Sequence, residues 1–405
     1  MQIPTNAMLT ASADPSVYEE YPTTLSSDRG SEIVKIETFD LRVPLDRVMS
    51  DSVNITDSWG FATVRLHTRD GLVGTGYTGT ARGAGNSLIL AAIQDYYSEH
   101  LLGKDSRNIR GLWHEMYWSE LHWCGRAGVS QMALAAVDIA LWDLAALRDE
   151  RPLCDLLGGS TAQSFQAYNT NGGWLSFTDD ELVANAKESV DSGFLGLKVK
   201  LGLPDGRRDI DRISKVRSAI GDGIDLMTDV NQAWTLASGA QFGSALADYD
   251  IAWLEEPLDP DDWRAHASLA RMVNTPLALG EHLYSLHAFS EFILAEAVTY
   301  VQPDTTRLGG ITEFLQVASL AASHQLPLCP HAGDMMQVHS HLVFVAATAH
   351  RFEYIPWGRE LFAHPASVKD GRILRPQAPG ASTEMHDTSI ERYLVSPMRT
   401  NELSA

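Results

Sequence analysis

Three acidic residues close three short apolar runs at one fixed interval, and this constrains the chain more than any other feature. Asp229 ends IDLMTD, Glu255 ends IAWLE and Glu281 ends PLALGE, with 26 residues in each step. The runs FQAYNT and LGLKVK precede them, and TYVQPD, LPLCPH and FEYIPW follow. Amphipathic stretches such as DDELVANAKESVDSG and GITEFLQVASLAASHQ lie between. A strand that is repeatedly followed by a helix implies parallel pairing, and about eight such units close into a barrel. One β/α unit per step explains the interval without sequence identity between units. The expected fold is therefore α/β, with a barrel over residues 161–360.

The flanking segments have a different texture. Residues 31–160 read as an α+β unit: EIVKIETFDLRV and WGFATVRLHTRDGLVGTGY alternate as strands around a turn at Arg69-Asp70-Gly71. Helical three-and-four spacing then runs through SLILAAIQDYYSEHLL and QMALAAVDIALWDLAAL. Residues 1–30 lack a basic n-region and an apolar h-region, so they read as a loosely ordered leader rather than a signal peptide. No run approaches the roughly 18 apolar residues of a membrane span.

Composition narrows the function classes. A net charge of −21 argues against nucleic-acid and anionic-membrane partners. The three cysteines are far apart and form no C-x-x-C pair, which argues against a disulfide framework or zinc ribbon and fits a reducing cytoplasm. An acidic chain that takes an anionic substrate needs concentrated positive charge. Two of its seven lysines sit together at Lys198 and Lys200.

The strand ends carry the chemistry. A single acid there is ordinarily a helix cap or an arginine's partner. Three on consecutive strands at one height converge, repel and call for a hard divalent cation, with all-oxygen ligation suiting Mg²⁺ or Mn²⁺ rather than Zn²⁺. Lys198 and Lys200 share a strand face and are expected to depress each other's pKa, which would make Lys200 a general base. Asp304 and His331 end successive strands, an arrangement in which the carboxylate orients the imidazole for proton transfer. Glu353, near the end of the last strand, is read as a protonated carboxyl that donates to a substrate oxygen. His282 is expected to line the site without ligating. His339 and His341 read as packing or surface residues.

At these positions the chain resembles the enolase superfamily and, within it, the mandelate racemase subgroup, over residues 31 to 395. The motifs are Val137 to Asp143, Lys198-Val199-Lys200, Asp229-Val230-Asn231-Gln232, Trp253-Leu254-Glu255-Glu256-Pro257 and Gly280-Glu281-His282. Gln302-Pro303-Asp304, Gly309-Gly310-Ile311-Thr312 and Pro330-His331 complete the set. The resemblance implies a modified TIM barrel, (β/α)₇β, with an α+β capping domain formed by the N-terminal segment and the tail at 361–405.

It also implies Mg²⁺ on Asp229, Glu255 and Glu281, with Glu256 pointing elsewhere. Lys200, supported by Lys198, would face one side of a carboxylate substrate, and His331 with Asp304 the other. The family's electrophilic glutamate falls on Glu353, or on Glu360 a little further along. Asn231 would contact substrate. The implied reaction removes the proton beside a carboxylate through an enediolate. Segments from Asp250 to His282 and from Gly380 to His386 resemble acid-sugar dehydratases such as the fuconate and galactarate/talarate enzymes. Racemases, epimerases and cycloisomerases on the same scaffold are the alternative, and a non-catalytic ligand-binding descendant is a remote one. Specificity would lie in two capping loops, one with Arg47, Asp51 and Trp59 and the other with Arg82. The resemblance further implies a homo-oligomer.

Overall fold

The computed structural model describes residues 29–403; nearly all of the expected leader lies outside that range. Three long strands open the chain: β1 (Ile33–Ser50), β2 (Ile55–Thr68) and β3 (Val73–Ala81). They form an antiparallel meander, and β2 turns into β3 over residues 69–72, as the Asp-Gly signal anticipates. A helical layer follows, ending in the long helix Val129–Arg148. By length and composition that helix is apolar enough to cross a membrane, but 78% of its apolar window is buried inside the protein. The reason is its position between the cap sheet and the barrel helix Gly310–Ser323. A core helix with neighbours on several sides becomes apolar around most of its circumference.

The barrel strands are β4 (Ser164–Asn169), β5 (Gly196–Lys200), β6 (Asp225–Asp229), β7 (Ile251–Glu255), β8 (Leu277–Leu279), β9 (Tyr300–Val301) and β10 (Phe352–Tyr354). Parallel pairing runs from β4 to β9. Leu328 bridges Val301 on one side and Ala349 on the other, and β10 pairs back onto β4. The seventh strand position is thus only a bridge, yet the circle closes. Tyr168, Met227, Trp253, Ala278 and Cys329 pack in one buried cluster drawn from β4, β6, β7, β8 and the seventh strand position. The period of two then puts Lys198 and Lys200 on one face of the fully buried β5.

Helix starts follow local chemistry. Thr178 and Glu181 form a reciprocal capping box for Asp179–Asp191, and Asp262 caps Trp263–Ala270.

The tail departs from a simple capping role. Its first part forms a hairpin, β11 (Val368–Lys369) and β12 (Arg372–Leu374), which joins the barrel sheet through β4. Only then does the chain return to the cap, where β13 (Arg399–Glu402) pairs with β1. Alternation in such short strands is too brief to reveal which sheet they join.

Two of the sequence motifs meet between cap and barrel. Asp138 accepts the Thr312 N–H at 2.8 Å and the Thr312 hydroxyl at 2.6 Å. Asp143 accepts the N–H groups of Thr75 and Ala381. Both aspartates are buried, and burial pushes Asp138 up to about 7 and Asp143 to about 6. The three cysteines are free, with Cys124 exposed and Cys154 and Cys329 buried.

Candidate active site

The ends of the barrel strands and the two capping loops enclose a cavity of about 340 Å³. Ligand oxygens of Asp229, Glu255 and Glu281 lie within 4.8 Å of one another, and all three side chains are buried. Burial and the neighbouring Asp229 hold Glu255 up near 8 against the pull of Lys198. Trp253 Nε1 and Gln302 Nε2 both donate to Glu255 Oε2, at 3.0 and 2.7 Å. An all-oxygen, mutually repelling set whose Glu255 is oriented by Trp253 and Gln302 fits a hard divalent cation.

The lysines and the histidine flank this set from opposite ends. Lys200 Nζ lies 2.5 Å from Asp229 Oδ2 and 5.0 Å from the centre of the Trp174 ring. Lys198 Nζ contacts Glu255 Oε1 at 2.6 Å and Glu353 Oε1 at 2.8 Å. At the other end, His331 Nε2 lies 2.8 Å from Glu281 Oε2 while Nδ1 faces Asp304 Oδ2 at 2.7 Å. Burial alone would lower the His331 pKa, but Glu281 and Asp304 raise it to about 10.

The charges facing two of these groups run against the expected shifts. Burial and Lys198 both lower the Lys200 pKa, yet Asp229 outweighs them and holds it above the ordinary lysine value. Lys198 is likewise raised, by Glu255 and Glu353. The repulsion between the two lysines is outweighed by the acids beside them. Divalent cations in such sites invert the local balance. Glu353 also differs from its reading as a protonated acid: burial raises it, but Lys198 and His331 pull it down to about 2. Its two oxygens accept from Thr170 Oγ1 at 2.7 Å and Ala332 N–H at 2.9 Å. Glu360 is exposed and accepts from Tyr393, away from the cavity.

Glu256 does not simply point away. It takes a left-handed backbone, φ 38°, and its carboxylate comes within ligand range of Glu281 and His282. His282 lines the cavity, faces Glu256 through Nδ1 at 2.9 Å and accepts from Arg307 through Nε2 at 3.2 Å. Asn231 also lines it, at φ 46°. Non-glycine residues at positive φ are uncommon and concentrate at functional sites.

The capping loops divide. Asp51, Trp59 and Arg82 line the cavity. Arg47 does not: it pairs with Glu181 at 3.1 Å and stacks over Phe177, tying the cap to a barrel helix. His339 and His341 are fully buried, and His339 Nε2 accepts the Thr305 N–H at 2.9 Å.

Sequence reasoning missed Arg307, whose Nη1 lies 3.2 Å from Glu281 Oε1. Its place three residues after Asp304 was the available signal. Trp174 and Trp357, stacked at 5.1 Å, also line the cavity and were not singled out.

A barrel that gathers buried carboxylates, two lysines and an Asp–His pair at its strand ends defines a class of metal-dependent enzymes acting beside carboxylates. The chain belongs to the mandelate racemase/muconate lactonizing enzyme family. Its residues 35–158 match that family's N-terminal domain, and residues 181–389 match the enolase C-terminal domain-like model.

It is 34% identical to the L-talarate/galactarate dehydratase of Salmonella typhimurium, covering 90% of this chain and 92% of the relative. It is also 34% identical to a 3,6-anhydro-alpha-L-galactonate cycloisomerase of Streptomyces coelicolor, covering 90% and 99%. The crystal structure of L-talarate dehydratase from Polaromonas sp. JS666, complexed with Mg and L-glucarate, superimposes with a TM-score of 0.82. That match has 33% identity and covers 92% of this chain and 99% of the other.

Proposed function

We propose that the protein is a Mg²⁺-dependent dehydratase of an acid sugar, an aldonate or aldarate, giving a 2-keto-3-deoxy acid. One observation carries this reading: two proton-carrying groups, Lys200 and His331, sit at opposite ends of one carboxylate trio and line one cavity. Asp229, Glu255 and Glu281 would hold the cation, with Mn²⁺ a fitting substitute. When bound, it supplies charge stabilisation for a substrate carboxylate as the neighbouring proton leaves.

The chain's own residues do the rest. Lys200 Nζ, placed against Trp174 and Asp229, is positioned to take the C2 proton from one face. His331 Nε2, its ring fixed through Nδ1 by Asp304, is positioned to give a proton to the departing C3 hydroxyl on the other. Lys198, supported by Glu353, adds positive charge beside the trio. Trp59, Trp174 and Trp357 form an apolar wall that limits water on one side.

Dehydratases of talarate, galactarate, L-galactonate and arabinonate among the relatives support this choice of reaction. Opposed proton-carrying groups also suit racemisation, and the cycloisomerase relative keeps that second outcome in view. The test is a screen of aldonates and aldarates with Mg²⁺ that detects 2-keto acids. Keto-acid release from at least one is expected. Proton exchange at C2 with no keto acid from any would overturn dehydration in favour of an isomerase.

A further inference from the structure

A second Asp–His pair lies behind the one that faces the cavity. His339 is fully buried, and the proposed reaction gives it no part. Its Nε2 accepts the Thr305 N–H at 2.9 Å and lies 2.6 Å from the Thr305 hydroxyl. Its Nδ1 lies 2.7 Å from Oδ1 of Asp334, which is fully buried as well. A backbone N–H only donates, so Nε2 offers its lone pair and the ring proton sits on Nδ1, towards Asp334. Burial opposes a second proton on the ring and Asp334 favours one, and the balance lies above the ordinary histidine value. The Thr305 N–H adds to the opposition, because a proton on Nε2 would meet it head-on.

Thr305 matters for what it stands between. Asp304 before it faces His331 through Oδ2, and Thr306 after it holds Asp304 Oδ1 through its N–H and hydroxyl. The Asp304 carboxylate is thus carried on a turn whose middle N–H is tied to His339. Asp334 in turn accepts the N–H groups of Met336 and His339, at 2.9 and 2.7 Å. Met335 and Met336 stand at φ 53° and 77°, so the loop from His331 to His339 is bent in a way that side chains resist. Strand β3 braces both turns from the cap, with Tyr77 donating to Asp334 O at 2.7 Å and Thr78 to Thr306 O at 2.8 Å. His339 joins the two loops without lining the cavity.

We propose that His339 is a positioning residue for the Asp304–His331 pair. As a neutral acceptor for the Thr305 N–H it sets the place of Asp304, and so the aim of the His331 ring, without touching substrate. This rests on the reading in which His331 delivers a proton to the departing hydroxyl.

The test compares two amide replacements in the Mg²⁺-loaded full chain. Gln sets its amide near the place of Nε2 and reaches the Thr305 N–H, whereas Asn sets it near the place of Nδ1 and falls short. One readout is the downfield proton resonance of the His331 Nδ1–H···Asp304 bond, identified by its loss in His331→Asn. The other is kcat, KM and C2 exchange on the best substrate of the screen. H339Q should keep the resonance near its wild-type position and turn over within about threefold of wild type. H339N should shift or lose the resonance. Its kcat for the keto acid should fall on the order of 100-fold, with KM and the Lys200-dependent exchange within about threefold of wild type. A wild-type resonance or kcat in H339N, an H339Q as impaired as H339N, or equal falls of exchange and product in H339N overturns the proposal. Should H339N fail to fold, H339Q decides: loss of the resonance in a folded H339Q overturns the proposal, and its retention supports it. The resonance needs no turnover. A wild type that releases no keto acid from any acid sugar therefore counts against the dehydratase reading, and the resonance still decides the role of His339.

Discussion

His331 Nδ1 sits 2.7 Å from Asp304 Oδ2, and neither residue is free to move away from the other. Asp304 Oδ1 accepts both the N–H and the hydroxyl of Thr306, at 2.8 and 2.7 Å, and the His331 N–H donates to Pro303 O. The carboxylate therefore selects the tautomer and aim of the imidazole. Asp304→Asn keeps the shape but offers an amide that can stabilise the wrong tautomer. Turnover should fall on the order of 10³-fold while the far-UV circular dichroism stays unchanged.

Gly333 makes that contact sterically possible. A Cβ at this position would lie 2.0 Å from Asp304 Oδ2 and 3.2 Å from His331 Nδ1. Gly333→Ala must push the pair apart, and kcat should drop about 100-fold, since misplacement by about 1 Å has that effect. Thermal melting should show a loss of about 1–3 kcal/mol, the usual range for overpacking.

Metal affinity should depend on residues that do not ligate. Gln302 and Trp253 both hold Glu255 Oε2 and so set the direction of the other oxygen. Gln302→Leu should weaken Mg²⁺ binding about 10- to 100-fold by calorimetry, with the fold intact.

The cap–barrel clamp has a defined pH sign. Asp138 is raised by burial from 3.8 to about 7, so the folded state binds its proton more tightly than the unfolded chain does. Its contribution is fully present below about 4 and is lost as pH rises through about 7. Asp138→Asn removes this titration. The stability of wild type relative to Asp138→Asn should fall across that interval by on the order of 1–3 kcal/mol, measured by urea unfolding at several pH values.

Much of this was legible in the chain. Asp229, Glu255 and Glu281 announced themselves because each barrel unit repeats a length, so a fixed interval means a fixed height. Lys198 and Lys200 were legible because a strand alternates. The Val137–Asp143 and Gly309–Thr312 segments were legible as motifs, but their meeting through Asp138 and Thr312 spans 174 residues, and no local pattern encodes it. Arg307 escaped because a loop arginine has no periodicity to mark it. The pKa directions of Lys200 and Glu353 escaped because they depend on which partners converge, and Asp229 and Lys198 come from other strands. Arg47 and Arg82 looked alike in sequence, and only the packing of each loop separates an ion pair with Glu181 from a residue that lines the cavity.

The central claim is that Lys200 and His331 work on opposite faces of one acid-sugar carboxylate. The direct measurement is hydrogen–deuterium exchange at C2 together with keto-acid formation, in D₂O with Mg²⁺, for wild type, Lys200→Ala and His331→Asn on the best substrate of the screen. Wild type should form the keto acid. Lys200→Ala should lose both exchange and product by at least about 100-fold, and His331→Asn should lose product while retaining Lys200-dependent exchange. Undiminished exchange in Lys200→Ala, or full keto-acid formation in His331→Asn, would contradict it.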